Sequence, residues 1–122
     1  MAGGPKLDGA GAAKMTTLDE ALVILSRVHS LVERYAIEIR SNKNTSQPRQ
    51  QIQRATAPLV GKLKGQFGRI SDQVTAMLLV LSRGGSEQTR LRSLRESVAQ
   101  IRTALEIAVK KVIEHHEVKD EE

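Results

Sequence analysis

The sequence predicts an all-α protein: an antiparallel three-helix bundle with long helices, the second of them kinked or split at Pro58. Three observations carry that expectation. Leu91, Leu94, Val98, Ile101, Leu105, Ala108, Val112 and His115 repeat in alternating steps of three and four, the heptad seam of a helix packed on helical partners. Ile52, Thr56, Leu59, Leu63, Phe67, Ile70, Val74, Met77 and Leu81 recur at steps of four and three. Between these runs, Gly84-Gly85 followed by Ser86 reads as a helix stop and a helix start with almost nothing between, which folds the two runs against each other.

In chain order, residues 1–15 hold four of the nine glycines and no continuous apolar core, so they read as a flexible tail ahead of a helical bundle over 16–118. The first helix is expected to open at Thr17, whose spacing to Glu20 is that of a capping box. Leu18, Ala21, Leu25, Val28, Leu31, Val32, Tyr35 and Ile39 then share one side, with Arg27, Arg34 and Glu38 opposite. Ser41-Asn-Lys-Asn-Thr-Ser46 should end it, because such side chains bond to backbone and compete with helix. Pro48 suits the first turn of the second helix. Pro58 deletes a hydrogen bond and crowds the Arg54 carbonyl, hence the expected kink or cut, a cut there making four helices of three. Gly61, Gly65 and Gly68 point away from the apolar seam. Either that back face meets another backbone closely, or the stretch from Pro58 to Gly68 is a soft spot. Residues 119–122 read as an acidic tail.

Composition narrows the function classes. The 122 residues include no Cys and no Trp, with one Tyr and one Phe. Disulfides, thiol catalysis and thiolate metal sites are therefore excluded, and so is an aromatic platform for stacked bases. No stretch approaches the roughly 18–20 apolar residues of a membrane span, and the first residues do not form a signal peptide; a cytoplasmic or nuclear location is expected by default. Charge is unevenly spread. Residues 40–105 hold twelve basic and three acidic side chains, while the flanking segments are slightly acidic and the whole chain carries +5. A basic middle suits an acidic partner, or equally a set of solvated helix faces.

Candidates for chemistry are few. His115 and His116 stand beside Glu114 and Glu117, but bundle metal sites draw Glu-x-x-His from paired helices and only one such helix exists here, so no metal or other cofactor is expected. His29, on the edge of the first helix, is the one residue that a histidine phosphotransfer domain would use. No phosphate loop, serine nucleophile motif or carboxylate pair at cleft spacing occurs, so an enzyme is not expected. Arg83, Arg90, Arg92, Arg95 and Arg102 with Lys62, Lys64 and Arg69 form an electrostatic footprint for phosphates, without a recognition helix or zinc finger to read sequence. On the third helix Arg95, Arg102, Val109 and Ile113 share a flank that is charged at one end and apolar at the other, as a partner surface would be. The alternative is that Val109 and Ile113 pack under the first helix.

The hairpin Asp72-Gln-Val-Thr-Ala-Met-Leu-Leu-Val-Leu-Ser82, Gly84-Gly85 and Thr89-Arg-Leu-Arg-Ser-Leu-Arg-Glu-Ser-Val-Ala-Gln-Ile-Arg102 resembles the BAG domain over residues 20–113. That resemblance implies a three-helix bundle whose last two helices clasp the nucleotide-binding domain of a DnaK-type heat-shock chaperone and promote nucleotide exchange. Asp72 and Arg95 keep charged positions of the family. Ser82, Leu94 and Arg102 stand where it has an Asp, an Arg and a Gln. The expected function is a non-enzymatic helical module for protein–protein interaction, with a BAG-like co-chaperone as the form the resemblance implies. Its expected partner surface is Arg69, Asp72, Arg95 and Arg102 for electrostatic steering, with Val109 and Ile113 as apolar anchors. A basic helical nucleic-acid binder and a phosphotransfer domain are the alternatives.

Overall fold

A computed structural model describes residues 6–41 and 43–118; the acidic run over 119–122 and residues 1–5 lie outside the described part. Four helices follow one another: α1 (Gly9–Arg40), α2 (Ser46–Lys64), α3 (Gly68–Ser82) and α4 (Glu87–His116), with no strand among the described residues. The all-α expectation holds. The count of three helices does not, and neither does the cut at Pro58.

Pro58 lies inside α2 without breaking it. The ring is exposed, and so is Arg54, so the carbonyl that loses its N–H partner faces water instead of the core. The reversal comes seven residues later, at Gly65-Gln66-Phe67. The Phe67 N–H closes the last turn of α2 on the Leu63 carbonyl at 2.7 Å, and Phe67 then leaves helical geometry at φ −135°, ψ 58°. Ser71 staples the returning helix, its hydroxyl donating to the Val60 carbonyl at 2.9 Å. The apolar rhythm runs through this turn uninterrupted, because Phe67 is half-buried against the same core as Leu63 and Ile70. Periodicity alone therefore cannot tell a folded-back pair from one long helix. An added Cβ at Gly61, Gly65 or Gly68 would meet nothing within 4 Å, so no other backbone approaches that face.

The first helix also starts earlier than Thr17. Asp8 caps it, accepting from the Gly11 N–H at 2.7 Å, so from Gly9 onward the expected tail is the first part of α1. Thr17 sits inside the helix, its hydroxyl donating to the Ala13 carbonyl at 3.2 Å. The other expected junction stands as read: Gly85 takes φ 123°, and Ser86 caps α4 by accepting from the Thr89 N–H at 3.1 Å.

Each helix runs antiparallel to the next. Successive neighbours pack, and so do α1 and α4, whereas the backbones of the diagonal pairs stay apart. The result is a four-cornered bundle whose core holds Leu18, Leu25, Val28, Val32 and Tyr35 from α1, Ile52, Leu59 and Leu63 from α2, Val74 and Met77 from α3, and Leu94, Ile101 and Leu105 from α4. At 1.5 Å per residue, α1 and α4 are each about 45–48 Å long and α2 and α3 about 20–30 Å. The long pair therefore overruns the short one. Thr17 reaches Gln66 in the α2–α3 turn at 3.3 Å, so α1 before Thr17 and the last turns of α4 form a two-helix extension. A one-residue antiparallel bridge, Leu7 to Glu117, closes its end.

Candidate functional site

Several of the basic residues expected on an open surface are engaged. Arg90 is 7% exposed. Its Nη1 donates to Glu87 Oε1 at 2.6 Å and to the Tyr35 hydroxyl at 3.4 Å, and its Nη2 to the Arg83 carbonyl. The Tyr35 hydroxyl donates to Glu87 Oε2 at 2.6 Å. Burial pushes the Glu87 carboxyl up, but the hydrogen bonds from Tyr35 and Thr45 and the Arg90 charge outweigh it and hold the group below the usual carboxylate range. This cluster ties the end of α1 to the α3–α4 turn. Its sequence signals were a lone tyrosine, whose hydroxyl needs a partner when buried, and an Arg beside the seam three residues after a Glu. Arg90 is therefore a structural residue, not part of a phosphate footprint.

Arg95 forks onto Glu33 of α1, Nε at 2.9 Å and Nη2 at 2.7 Å. That hydrogen-bonded pair holds Glu33 below its ordinary range. Arg102 is half-buried without a carboxylate partner among the described residues, Val109 is half-buried against the core, and Ile113 is half-buried. Arg95, Arg102, Val109 and Ile113 thus share the flank of α4 turned toward α1. Arg69 and Asp72 stand exposed on α3. Since α1 and α3 occupy opposite flanks of α4, the six residues expected to form one surface fall on two sides of the bundle.

His29 is about half exposed on α1, and its acidic neighbour Glu33, 4.0 Å away, is already held by Arg95. Of the two C-terminal histidines it is His116, not His115, that turns inward. Its Nδ1 lies 3.1 Å from Asp8 Oδ1 and its Nε2 lies 3.5 Å from Lys14 Nζ. The Gly11 N–H and then His116 hold the Asp8 carboxyl below its usual range. No group of three or more His, Asp or Glu placed to hold a metal ion occurs among the described residues, and no described helix is long and apolar enough to cross a membrane.

The feature that sequence reasoning did not assemble is a groove of about 620 Å³ along the α1–α2 face. Ile24, Leu31, Ala55 and Pro58 give it apolar walls; Arg27, Arg34 and Arg54 stand along it, with Gln51 between. None of these three arginines has a carboxylate within 4.0 Å among the described residues. The reason lies in α2, which carries Arg49, Arg54, Lys62 and Lys64 and no acidic residue, so counter-charge on this face comes from α1, where Glu38 lines the adjoining cavity beside Arg34. Glu20 answers Lys62 at 2.8 Å; Arg27 and Arg34 add to the excess. At the Glu20–Lys62 end Val23 is 72% exposed, beside Ile24. The acid-free stretch from Ile39 to Ser71 was the legible signal; which α1 residues faced it required the packing.

Compared with known protein families, curated proteins and solved structures, the chain matches none.

Proposed function

We propose that this chain is a non-enzymatic helical module that binds another protein through its basic outer surface. The observation that carries the reading is the α1–α2 face, where Arg27, Arg34 and Arg54, none with a carboxylate within 4.0 Å among the described residues, border apolar side chains. Surface cations in a folded protein are commonly relieved by neighbouring carboxylates; a cluster left unrelieved beside apolar surface gains most from an acidic partner that covers both. The groove lining offers guanidinium groups, one amide and hydrocarbon, which attract and hold but do not relay protons near neutral pH.

The BAG-type form of this reading places a DnaK-type chaperone on the α3–α4 hairpin, where Asp72 is exposed and Arg95 is fixed to Glu33. Because that pair also joins α1 to α4, reversing the charge at Arg95 tests binding and packing together. Arg102, which has no such pair, is the cleaner probe of that flank.

Retention from cell extract on the immobilised full chain, at low and at moderate salt, tests the module. A protein retained at moderate salt is the expected result, and release of a heat-shock chaperone by ATP would identify the BAG-type form. Retention of nucleic acid alone, lost as salt rises, would replace the reading with a phosphate-binding one.

A further inference from the structure

Resting on the interaction-module reading, we infer that the α1–α2 groove is the docking site for an acidic amphipathic helix of a partner protein, with Arg27, Arg34 and Arg54 as its charge contacts and Val23, Ile24 and Leu31 as its apolar seat. Three features select this occupant. The groove runs along two antiparallel helices, so its shape is linear and accepts a third rod. Arg27 and Arg34 project from the same side of α1 two turns apart, about 10 Å along the axis. A helix lying alongside matches them with carboxylates spaced i and i+7, and a further carboxylate on its other edge meets Arg54 of α2. Between these charges the seat is mostly hydrocarbon, with Gln51 the one amide: Ile24 and Leu31 are half-buried, Ala55 and Pro58 are short, and Val23 adds exposed apolar surface at one end, where Asp19, Glu20 and Lys62 stand and only the apolar part of the partner helix fits. This is the pattern of helix-in-groove recognition, with apolar anchors at helical spacing and charges setting register.

Other occupants fit less well. A nucleic acid would use the arginines but not the apolar seat, and no aromatic ring lines the groove to stack a base.

The probe is a synthetic helical peptide of about eighteen residues. It has Leu on one face at i, i+3, i+4 and i+7 spacing and Glu beside that face at i and i+7. Controls are a scrambled peptide of identical composition and a single-stranded oligonucleotide. Binding to the full chain is read by fluorescence anisotropy at moderate salt. The patterned peptide should bind and the scrambled one should not. Arg27→Glu with Arg34→Glu should weaken binding by about tenfold or more, since it replaces attraction by repulsion at two contacts. Val23→Ser should weaken it at unchanged net charge, and Arg92→Glu on exposed α4 surface should leave it unaltered. All these positions are exposed or at the groove edge, and thermal melts of each variant check that the bundle persists. Equal binding of patterned and scrambled peptides would overturn the inference, as would insensitivity to the arginine reversals. Competition by the oligonucleotide as effective as by the peptide would assign the groove to phosphates, and peptide-independent self-association lost in the Arg27/Arg34 variant would assign it to a second copy of the chain. If extract partners stay bound to the Arg27/Arg34 variant, the module reading stands and the groove assignment fails; if the wild-type chain retains no protein, the module reading itself fails.

Discussion

Thr56 is fully buried in α2, and its hydroxyl finds no hydrogen-bond partner. An unpaired buried hydroxyl costs roughly 1–3 kcal/mol, whereas a methyl of nearly the same shape costs nothing to desolvate. Thr56→Val should therefore stabilise the bundle by about 1 kcal/mol, read as a higher midpoint in chemical denaturation, while Thr56→Ser, which keeps the hydroxyl and removes the methyl, should destabilise it. The sequence placed Thr56 correctly on the seam, since a threonine at an apolar position obeys the same period as its neighbours. That Arg90 is buried is signalled only weakly, by its place beside the seam three residues after Glu87. A long charged side chain beside a seam goes inward only where partners converge: Glu87 and the Arg83 carbonyl lie within two turns of Arg90, but Tyr35, 55 positions away, joins them only in the folded bundle.

At the level of the helices, the glycines separate two physical situations that look alike in sequence. Gly61 lies within α2 with open space where a Cβ would stand, so Gly61→Ala should raise stability by about 0.5–1 kcal/mol by lowering the entropy lost on folding. Gly11 lies within α1, and there an added Cβ would fall on His116 of α4. The same substitution at Gly11 should lower stability by about 1–3 kcal/mol, because overpacking outweighs the gain in helix propensity. Paired thermal melts of the two variants, shifted in opposite directions, are the expected result. Gly11 fell in the stretch read as a tail, since glycine- and alanine-rich sequence lacks the apolar residues that mark a packed helix. It packs because small residues let α1 and α4 approach closely at the end of the extension. The turn at Gly65–Phe67 was hidden for the complementary reason: its last residue, Phe67, is apolar and keeps step with the seam.

Across the whole molecule, the clamps between α1 and α4 are acidic at one end of each pair. Asp8 meets His116, Glu33 meets Arg95, and Glu87 meets Arg90 and Tyr35. All three carboxyls are held below their ordinary range in the folded state. A group whose folded pKa is depressed contributes stability that is present above its unfolded pKa and is lost as pH falls through the folded one. The melting temperature should accordingly be steady near neutrality and fall as pH drops below about 4. Because Asp8, Glu33 and Glu87 are each substantially exposed, the loss per pair is small, and the effect is the sum of three. Glu33→Gln combined with Glu87→Gln should flatten that acid limb while lowering stability at neutral pH; an unchanged limb would show that these pairs do not couple α1 to α4. The α1–α2 face has the opposite character: among the described residues it holds the Glu20–Lys62 ion pair, while Arg27, Arg34 and Arg54 have no carboxylate within 4.0 Å.

The all-helical class, the α3–α4 hairpin at Gly84-Gly85, the seam of α4 and the basic middle of the chain are legible in the residues alone. These follow from local period, capping chemistry and composition, which a single segment contains in full. The fold-back of the second apolar run at Phe67, the four corners of the bundle and the engagement of each cation emerge from packing. Those depend on which faces meet across the bundle: a charge is exposed or engaged according to residues fifty or sixty positions away, as Arg95 is by Glu33 and Arg90 by Tyr35, and no local pattern carries that information.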